Sequence, residues 1–300
     1  MFIGIDWGGT KMEVVALDRR GDERARKRVA TPTTYADCLA AVADLVGAAE
    51  QQAGESGTVG LGIPGSPNPL TGLVRNSNAV VLNGKPLGRD LEARLGRPVR
   101  IANDANCLAV SEAVDGAGEG LHAVFGIIIG TGHGGGLALD GRVHAGFQGL
   151  AAEVGHYPLP WMKPEEYPGH LCWCGKRGCL EQYACGTGLE LDYRLSTGAE
   201  RKARDIIADK RAGDASALAV YERFADRLAR SLALLTNIVD PDVFVLGGGM
   251  SNVDELYDDV PPRVAEYLFG DTFKTPIRKA RHGDSSGVRG AAFLWKEAAP

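Results

Sequence analysis

The sequence predicts an α/β protein, because apolar strand-like runs alternate with helix-like segments along its 300 residues. A chain of this length has room for about two domains. An internal similarity favours the same number: residues 2–10 and 125–132 are both apolar runs that end in a turn of glycine and threonine, and a second apolar run follows each. Strand-turn-strand units are common, so the similarity gains weight only from what the turns contain.

Strands flanked by glycine are predicted at 2–5, 12–17, 58–63, 98–102, 123–129 and 243–246. Helical periodicity predicts helices at 34–53, 104–117, 215–238, 254–268 and 287–297, with Thr33 or Thr34 capping the first. We expect a small domain of residues 1–117, joined by a C-terminal helix at about 286–300, and a larger domain of residues 118–285.

The charge pattern excludes two classes of partner. The net charge is −5 and the isoelectric point is about 5.7. The sequence contains no block of Lys and Arg, so it lacks the basic segment that would attract nucleic acid or an anionic membrane. No apolar run approaches the roughly 20 residues of a membrane span, and the first residues lack the features of a secretion signal. We therefore expect a cytoplasmic protein.

Four candidate zinc ligands occur in one stretch of the chain. His156 is followed by Cys172, Cys174 and Cys179, and three thiolates with one imidazole match the Cys₃His set of structural zinc sites. The competing interpretations are a disulfide and unrelated cysteines. Clustered cysteines in a chain that looks like an intracellular enzyme favour metal. His170 lies closer to the cysteines in sequence and is a rival fourth ligand.

A glycine turn that suits phosphate follows the first strand. Its residues are Gly8, Gly9, Thr10 and Lys11, which combine backbone N–H groups, a hydroxyl and a positive charge. Asp6, at the end of the strand, is suited to order the hydration shell of magnesium. The alternative is a tight hairpin turn that needs glycine for its geometry alone.

Two further apolar strands end in glycine turns. One turn contains Thr131 and Gly132, and the other contains Gly247 and Gly248, where backbone without side chains can admit an adenine-ribose. Each turn alone is a weak signal, but three in one chain are hard to explain as plain hairpins. The sequence therefore favours a nucleotide-binding protein.

Asp104 follows a predicted strand and opens a predicted helix. A helix N-terminus favours the ionised carboxylate, which suits a general base near neutral pH. The alternative is a helix cap, and the residues alone leave both roles open. The neighbouring Asn103 offers both a donor and an acceptor to a bound ligand.

These motifs together resemble the ROK family (repressors, open reading frames and sugar kinases) of the actin-like ATPase superfamily, over essentially the whole chain. The matching segments are Asp6-x-Gly8-Gly9-Thr10-Lys11, Asn103-Asp104-Ala105-Asn106, Gly130-Thr131-Gly132, Glu153-x-Gly155-His156, Cys172-x-Cys174-Gly175-x-x-Gly178-Cys179-Leu180-Glu181 and residues 281–287. The zinc motif joined to Glu-x-Gly-His is the most specific of them. The resemblance implies two actin-like (ribonuclease H-like) α/β domains with a cleft between them, in a kinase that is a homodimer.

The resemblance also implies roles for individual residues. Asp104 is expected to be the general base, and the expected sugar-binding residues are Gly65, Asn78, Asn103, Asp104, Glu153, His156 and Glu181. ATP with Mg²⁺ is expected at Asp6, Gly8, Gly9, Thr10, Lys11, Thr131, Gly132, Gly247 and Gly248. The family pattern favours His156 over His170 as the fourth zinc ligand, and zinc closed by four protein ligands is expected to be structural.

Within the family, residues 82–84, 155–162 and 281–287 look most like bacterial fructokinases and mannokinases. The expected reaction is ATP-dependent phosphorylation of the 6-hydroxyl of fructose, with mannose or glucose as further substrates. N-acetylglucosamine kinases are the alternative. Two departures bear on this: residues 76–81 lack the aromatic residue of related fructokinases, and His133 replaces a small residue. We interpret His133 as facing solvent, with a phosphate contact as the alternative.

Two other classes of function are expected to be wrong. ROK transcriptional regulators carry a helix-turn-helix domain before the first strand, whereas this chain reaches its nucleotide turn at Asp6. A non-enzymatic, actin-like assembly protein would not need the sugar-site residues at 153–181.

Overall fold

The computed structural model describes residues 1–270 and 272–296. The chain divides into two compact units. Unit 1 comprises Met1–Gly126, Gly136–Ala151 and Arg281–Pro300, and unit 2 comprises Ile127–Gly135 and Ala152–Ala280. Among the described residues, no helix has the length and apolar character needed to span a membrane.

In chain order, the strands are β1 (Phe2–Trp7), β2 (Lys11–Leu17), β3 (Glu23–Ala30), β4 (Thr58–Ile63), β5 (Ser66–Pro67), β6 (Val74–Arg75), β7 (Val99–Asn103), β8 (Ala123–Ile129), β9 (His133–Leu139), β10 (Arg142–Val143), β11 (Val243–Gly247) and β12 (Ile277–Lys279). The α-helices are α1 (Tyr35–Ala53), α2 (Leu87–Leu95), α3 (Asp104–Asp115), α4 (Gly186–Thr197), α5 (Ala203–Arg211), α6 (Ala215–Val239), α7 (Leu256–Ala265) and α8 (Ser286–Phe293). Each strand and helix predicted from the sequence is present within the described residues; residues 297–300 of the expected C-terminal helix lie outside them. Thr34 caps α1 by accepting from the Asp37 N–H.

The first sheet belongs to unit 1 and has the strand order β3-β2-β1-β4-β7. Strand β1 pairs antiparallel with β2 and parallel with β4, and β4 pairs parallel with β7. These central strands are almost continuously buried, as expected for a sheet covered on both faces. The carboxyl ends of β1, β4 and β7 therefore lie at one edge of the sheet, and they lead to Asp6, to the loop after Ile63 and to Asn103.

Helix α8 packs closely on this sheet and on α3 because glycines leave room for its backbone. A Cβ atom added at Gly4 or Gly60 would lie 2.1 or 1.8 Å from a carbonyl oxygen of α8, and one at Gly290 would lie 1.7 Å from the carbonyl oxygen of Cys107 in α3. No real Cβ contact is that short, so glycine is required at all three positions. This packing makes α8 part of the core of unit 1.

The second sheet has the strand order β10-β9-β8-β11-β12, and the boundary between the units falls within β8 and β9. In unit 2, the long helix α6 is buried along much of its length and contacts α4, α5 and α7. Strand β11, which is fully buried, ends at Gly247.

Candidate active site

The first glycine turn joins β1 to β2, and Gly8 N–H donates to the carbonyl oxygen of Lys11 at 2.9 Å. Thr31, which follows β3, also stabilises the turn, because its hydroxyl donates to the carbonyl oxygen of Gly8 at 2.7 Å. Gly9 has no left-handed φ, and no described atom would lie within 4 Å of a Cβ added there. The protein's own packing therefore does not require glycine at this position, which supports close approach of a ligand to the backbone.

Asp6 is a carboxylate held in an unfavourable environment at the end of β1. Burial, and then the nearby carboxylates of Asp104 and Glu13, raise its pKa from 3.8 to about 6. A bound divalent cation would offset the negative charge that Asp6 shares with these neighbours. The carboxylate of Asp6 therefore fits a magnesium site.

Asn103, rather than Asp104, is the N-cap of α3, because its side chain accepts from the Ala105 N–H at 2.9 Å. Asp104 is the first helical residue, and its Oδ1 accepts from the same N–H at 2.8 Å. Burial raises the pKa of Asp104, against the lowering effect of the hydrogen bonds from Ala105 and Asn103. The capping position therefore belongs to Asn103, and the base role of Asp104 stays a prediction.

Gly65 lies beside Asn103, whose side-chain amide donates to the carbonyl oxygen of Gly65 at 3.3 Å. Its φ is +80°, and an added Cβ would lie 2.5 Å from the carbonyl oxygen of Arg75. Asn78 is exposed in the loop after β6. Asn83 shapes that loop, because its side chain bonds both the N–H and the carbonyl oxygen of Ser77. The structure therefore brings together three of the predicted sugar-site residues in unit 1, namely Gly65, Asn103 and Asp104.

The second and third glycine turns meet in unit 2. A Cβ added at Gly248, whose φ is +82°, would lie 2.9 Å from the backbone of Ile129 and 3.0 Å from that of Gly130. The start of helix α4 joins them, since Gly186 N–H donates to the carbonyl oxygen of Gly130 at 2.7 Å and the Thr187 hydroxyl donates to that of Thr131 at 2.6 Å. Sequence reasoning missed the residues of α4. A second Gly-Thr-Gly, at 186–188, could have indicated them.

The four candidate metal ligands cluster in unit 2. The ligand atoms of His156, Cys172, Cys174 and Cys179 all lie within 4.8 Å of one another. Cys172 Sγ is 3.6 Å from His156 Nδ1, and Cys174 Sγ is 3.5 Å from Cys179 Sγ. A disulfide has sulfurs about 2.05 Å apart, so the pairing of these cysteines as a disulfide is wrong. All six cysteines of the chain are free.

The cluster fits a tetrahedral zinc ion. Zn–S bonds of about 2.3 Å place two ligating sulfurs about 3.8 Å apart, close to the spacing seen here. Gly175 and Gly178, with φ of 85° and 77°, allow the turns that bring the cysteines together. His170 is not in the cluster; its ring lies against that of Tyr183, with centroids 5.0 Å apart.

The segment before the cysteines is tied to α6 by a buried ion pair. Arg230, which is fully buried, donates to both carboxylate oxygens of Glu166 at 2.8 Å and to the carbonyl oxygen of Trp161 at 2.9 Å. Burial alone would raise the pKa of Glu166, but hydrogen bonds from Arg230 and Arg227 lower it to about 2. Residues 161–166 are thereby fixed relative to α6.

Glu181, one of the predicted sugar-binding residues of unit 2, lies beside His133. Glu181 Oε2 lies 3.4 Å from His133 N, and a Cβ added at Gly132 would lie 2.6 Å from the same oxygen. Gly155, between Glu153 and His156, is equally constrained, because its Cβ would lie 2.0 Å from the carbonyl oxygen of His133. Glu153 itself is exposed, at the start of the turn that carries His156.

The interpretation of His133 as a solvent-facing residue is wrong. Its side chain is 4% exposed, and its Nδ1 donates to the carbonyl oxygen of Ala184 at 2.6 Å. Burial lowers its pKa to about 4, so the ring is neutral at physiological pH. A neutral imidazole bound to a backbone carbonyl supports the fold around Glu181.

Sequence analysis did not identify Trp173 as a site residue, although its position between two candidate cysteine ligands could have indicated it. Its indole N–H donates to Glu181 Oε1 at 2.7 Å, and its ring stands edge-on to that of His156 with centroids 4.9 Å apart. It therefore contacts both a candidate metal ligand and a candidate sugar ligand.

Comparisons with known proteins find relatives over nearly the whole chain. The chain is 45% identical over 299 residues to an N-acetyl-D-glucosamine kinase of Vibrio cholerae, covering 98% of this chain and 99% of the relative. It is 42% identical over 301 residues to one of Haemophilus influenzae, with the same coverage.

Two solved structures share the fold. A ROK hexokinase from Thermus thermophilus is 33% identical with a TM-score of 0.87, covering 98% of this chain and 97% of that one. A ROK family glucokinase from Streptomyces griseus, solved with glucose and AMPPNP, is 30% identical with a TM-score of 0.77, covering 98% of both chains. The model of the ROK family matches residues 2–298. The chain therefore belongs to the ROK family, as a sugar kinase with the actin-like ATPase fold.

Proposed function

We propose that the protein transfers the terminal phosphoryl group of ATP to the 6-hydroxyl of N-acetyl-D-glucosamine. The two relatives named above carry this sugar in their names and match nearly the full length of the chain. They support the alternative substrate rather than fructose. The absence of the expected aromatic residue at 76–81 points the same way.

Asp104 is the proposed general base. The observation that carries this role is a partly buried carboxylate at the first turn of a helix, whose pKa is raised by burial. Proton acceptance is most efficient when the pKa of the base lies near the working pH. Asn103 holds the start of the helix, so that the carboxylate keeps one orientation while it accepts the proton of the sugar hydroxyl.

The glycine turn at residues 8–11 is proposed to bind phosphates, with Asp6 holding magnesium through its waters. Magnesium would neutralise the charge of the phosphates during transfer. Thr131 and Gly132 are proposed on the phosphate side, and Gly247 and Gly248 at the adenosine. The open space beside Gly9 supports this assignment.

Glu153, His156 and Glu181 are proposed to bind sugar hydroxyls, and the zinc would hold His156 in place. A metal-bound imidazole gives its second N–H to a partner, and here that partner would be the sugar. Four protein ligands leave no open position for water activation, so the proposed role of zinc is structural. From the family resemblance, we also propose that the protein is cytoplasmic and forms a homodimer. Light scattering on the purified protein tests the oligomeric state.

The decisive experiment on chemistry is Asp104→Asn. It should lower kcat by about 10²–10⁴-fold while the Kd for sugar changes little, because the amide keeps the shape but accepts no proton. Asp44→Asn is the matched control, since this exposed carboxylate lies on α1 of the same unit. A kcat within a few-fold of the wild-type value in the Asp104 variant contradicts the base role.

The substrate is tested with a panel of N-acetyl-D-glucosamine, fructose, mannose and glucose with Mg-ATP. We expect the highest kcat/KM for N-acetyl-D-glucosamine. A larger kcat/KM for fructose would overturn the substrate assignment while leaving the kinase assignment intact.

The zinc assignment is tested with Cys172→Ala and Cys179→Ala. Both should lose the metal, measured by mass spectrometry of the element, and should bind sugar more weakly. Cys38→Ala is the control, because Cys38 is buried in unit 1 outside the cluster. Unchanged sugar affinity after verified loss of zinc would reject the organising role of the metal.

A further inference from the structure

Trp173 links the metal-binding residues to the carboxylate of Glu181. It lies in the sequence between two of the cysteines, Cys172 and Cys174, and its indole N–H donates to Glu181 Oε1 at 2.7 Å. Its ring meets that of His156 at an interplanar angle of 86°. The side chain is 64% exposed, so packing alone does not account for its position.

The carboxylate of Glu181 is held from both sides. Its Oε2 faces the backbone N–H of His133 at 3.4 Å, and its Oε1 receives the indole N–H at the shorter distance of 2.7 Å. The backbone of Glu181 is fixed as well, because the Cys185 thiol donates to its carbonyl oxygen at 2.9 Å. One donor on each oxygen fixes the plane of the carboxylate, and the indole makes the stronger bond since it is short and charge-assisted.

We propose that Trp173 is a positioning residue for sugar binding: its indole N–H sets the orientation in which Glu181 accepts from a sugar hydroxyl. The proposal rests on the function proposed above, in which Glu181 binds sugar. Because cysteine ligands flank Trp173 directly, a closed metal site would also fix where the indole stands. The residue acts through Glu181 and takes no part in phosphoryl transfer.

The test compares Trp173→Gln with Trp173→Leu. Both variants lose the ring, but Gln keeps an N–H donor three bonds from Cβ, as the indole does. Sugar affinity is measured by calorimetry without ATP. We expect the Leu variant to bind sugar about tenfold more weakly than the wild type and the Gln variant to recover part of that loss. The kcat at saturating sugar and the KM for ATP should stay within about twofold of the wild-type values in both.

Two controls separate positioning from folding. Zinc content should match the wild-type value in both variants, and Trp161→Phe should leave the sugar Kd unchanged, because Trp161 is a half-exposed tryptophan that packs on Tyr267. In a Glu181→Gln background, Trp173→Leu should weaken sugar binding less than twofold, since the charged acceptor is gone.

Equal sugar affinity in the Gln and Leu variants would overturn the proposal, even if both variants were less stable than the wild type. An undiminished effect in the Glu181→Gln background would overturn it as well. The comparison is run with the sugar that the wild type binds most tightly. Failure of N-acetyl-D-glucosamine as substrate would thus refute the proposed function without deciding the role of Trp173.

Discussion

Replacing Asp6 by asparagine should stabilise the ligand-free protein above pH 6 while it removes kinase activity. The pKa of Asp6 is raised from 3.8 to about 6, first by burial and then by the carboxylates of Asp104 and Glu13. The folded state therefore holds this proton more tightly than the unfolded state does. The free energy of unfolding must fall as the pH rises from about 4 to above 6, by up to about 3 kcal/mol for a shift of this size.

The assay is urea unfolding without nucleotide or sugar at pH 4 and at pH 7.5. With an m-value of about 3 kcal/mol/M, the midpoint for Asp6→Asn at pH 7.5 should exceed that of the wild type by up to about 1 M. At pH 4 the two midpoints should nearly coincide, because the wild-type carboxyl is then protonated in the folded state. Asp22→Asn is the control, since Asp22 is exposed in the turn between β2 and β3.

A midpoint difference that is the same at both pH values would refute the reasoning, because it could not come from ionisation of Asp6. A variant less stable than the wild type at pH 7.5 would refute it too, since the carboxylate would then be gaining more from its surroundings than burial costs. Magnesium with ATP should stabilise the wild type and not the variant.

Three substitutions test the packing around the site. Gly132→Ala places a Cβ 2.6 Å from Glu181 Oε2 and should raise the sugar KM about tenfold, which steady-state kinetics would show. Arg230→Ala leaves the buried carboxylate of Glu166 without its main partner and should lower the free energy of unfolding by about 3–5 kcal/mol in urea titrations; a loss below about 1 kcal/mol would contradict the buried pair. Gly290→Ala forces α8 away from α3 and should cost about 1–3 kcal/mol by the same measurement, so wild-type stability would argue against this close packing.

The strands and helices that the sequence predicted are those with strong periodic patterns. Strand β3 was missed because its sequence is charged, with Ala25 its only buried residue among the eight. It is an edge strand, and charges on an edge strand protect it from pairing with other chains. Helices α4 and α5 were missed because one begins with two glycines in its first turn and the other has only nine residues.

Local motifs predicted the candidate site better than they predicted its contacts. The cysteine cluster and the glycine turns are visible in the sequence, because each depends on residues close together in the chain. The bond between Trp173 and Glu181 spans eight residues, and that between Thr187 and Thr131 spans 56. Such contacts depend on how the loops fold back, which spacing alone does not determine. His133 was misjudged for the same reason, since its partner Ala184 lies 51 residues away.

The glycines that admit α8 have a consequence during synthesis of the chain. Strand β1 begins at residue 2, whereas the helix that covers its sheet begins at residue 286. At a translation rate of about 5–20 residues per second, the nascent strands wait roughly 15–60 s for that helix. Until α8 has been made, the face of the sheet at Gly4 and Gly60, on which it packs, has no helix to cover it. The core of unit 1 can therefore be completed only after residues 286–293 have been made.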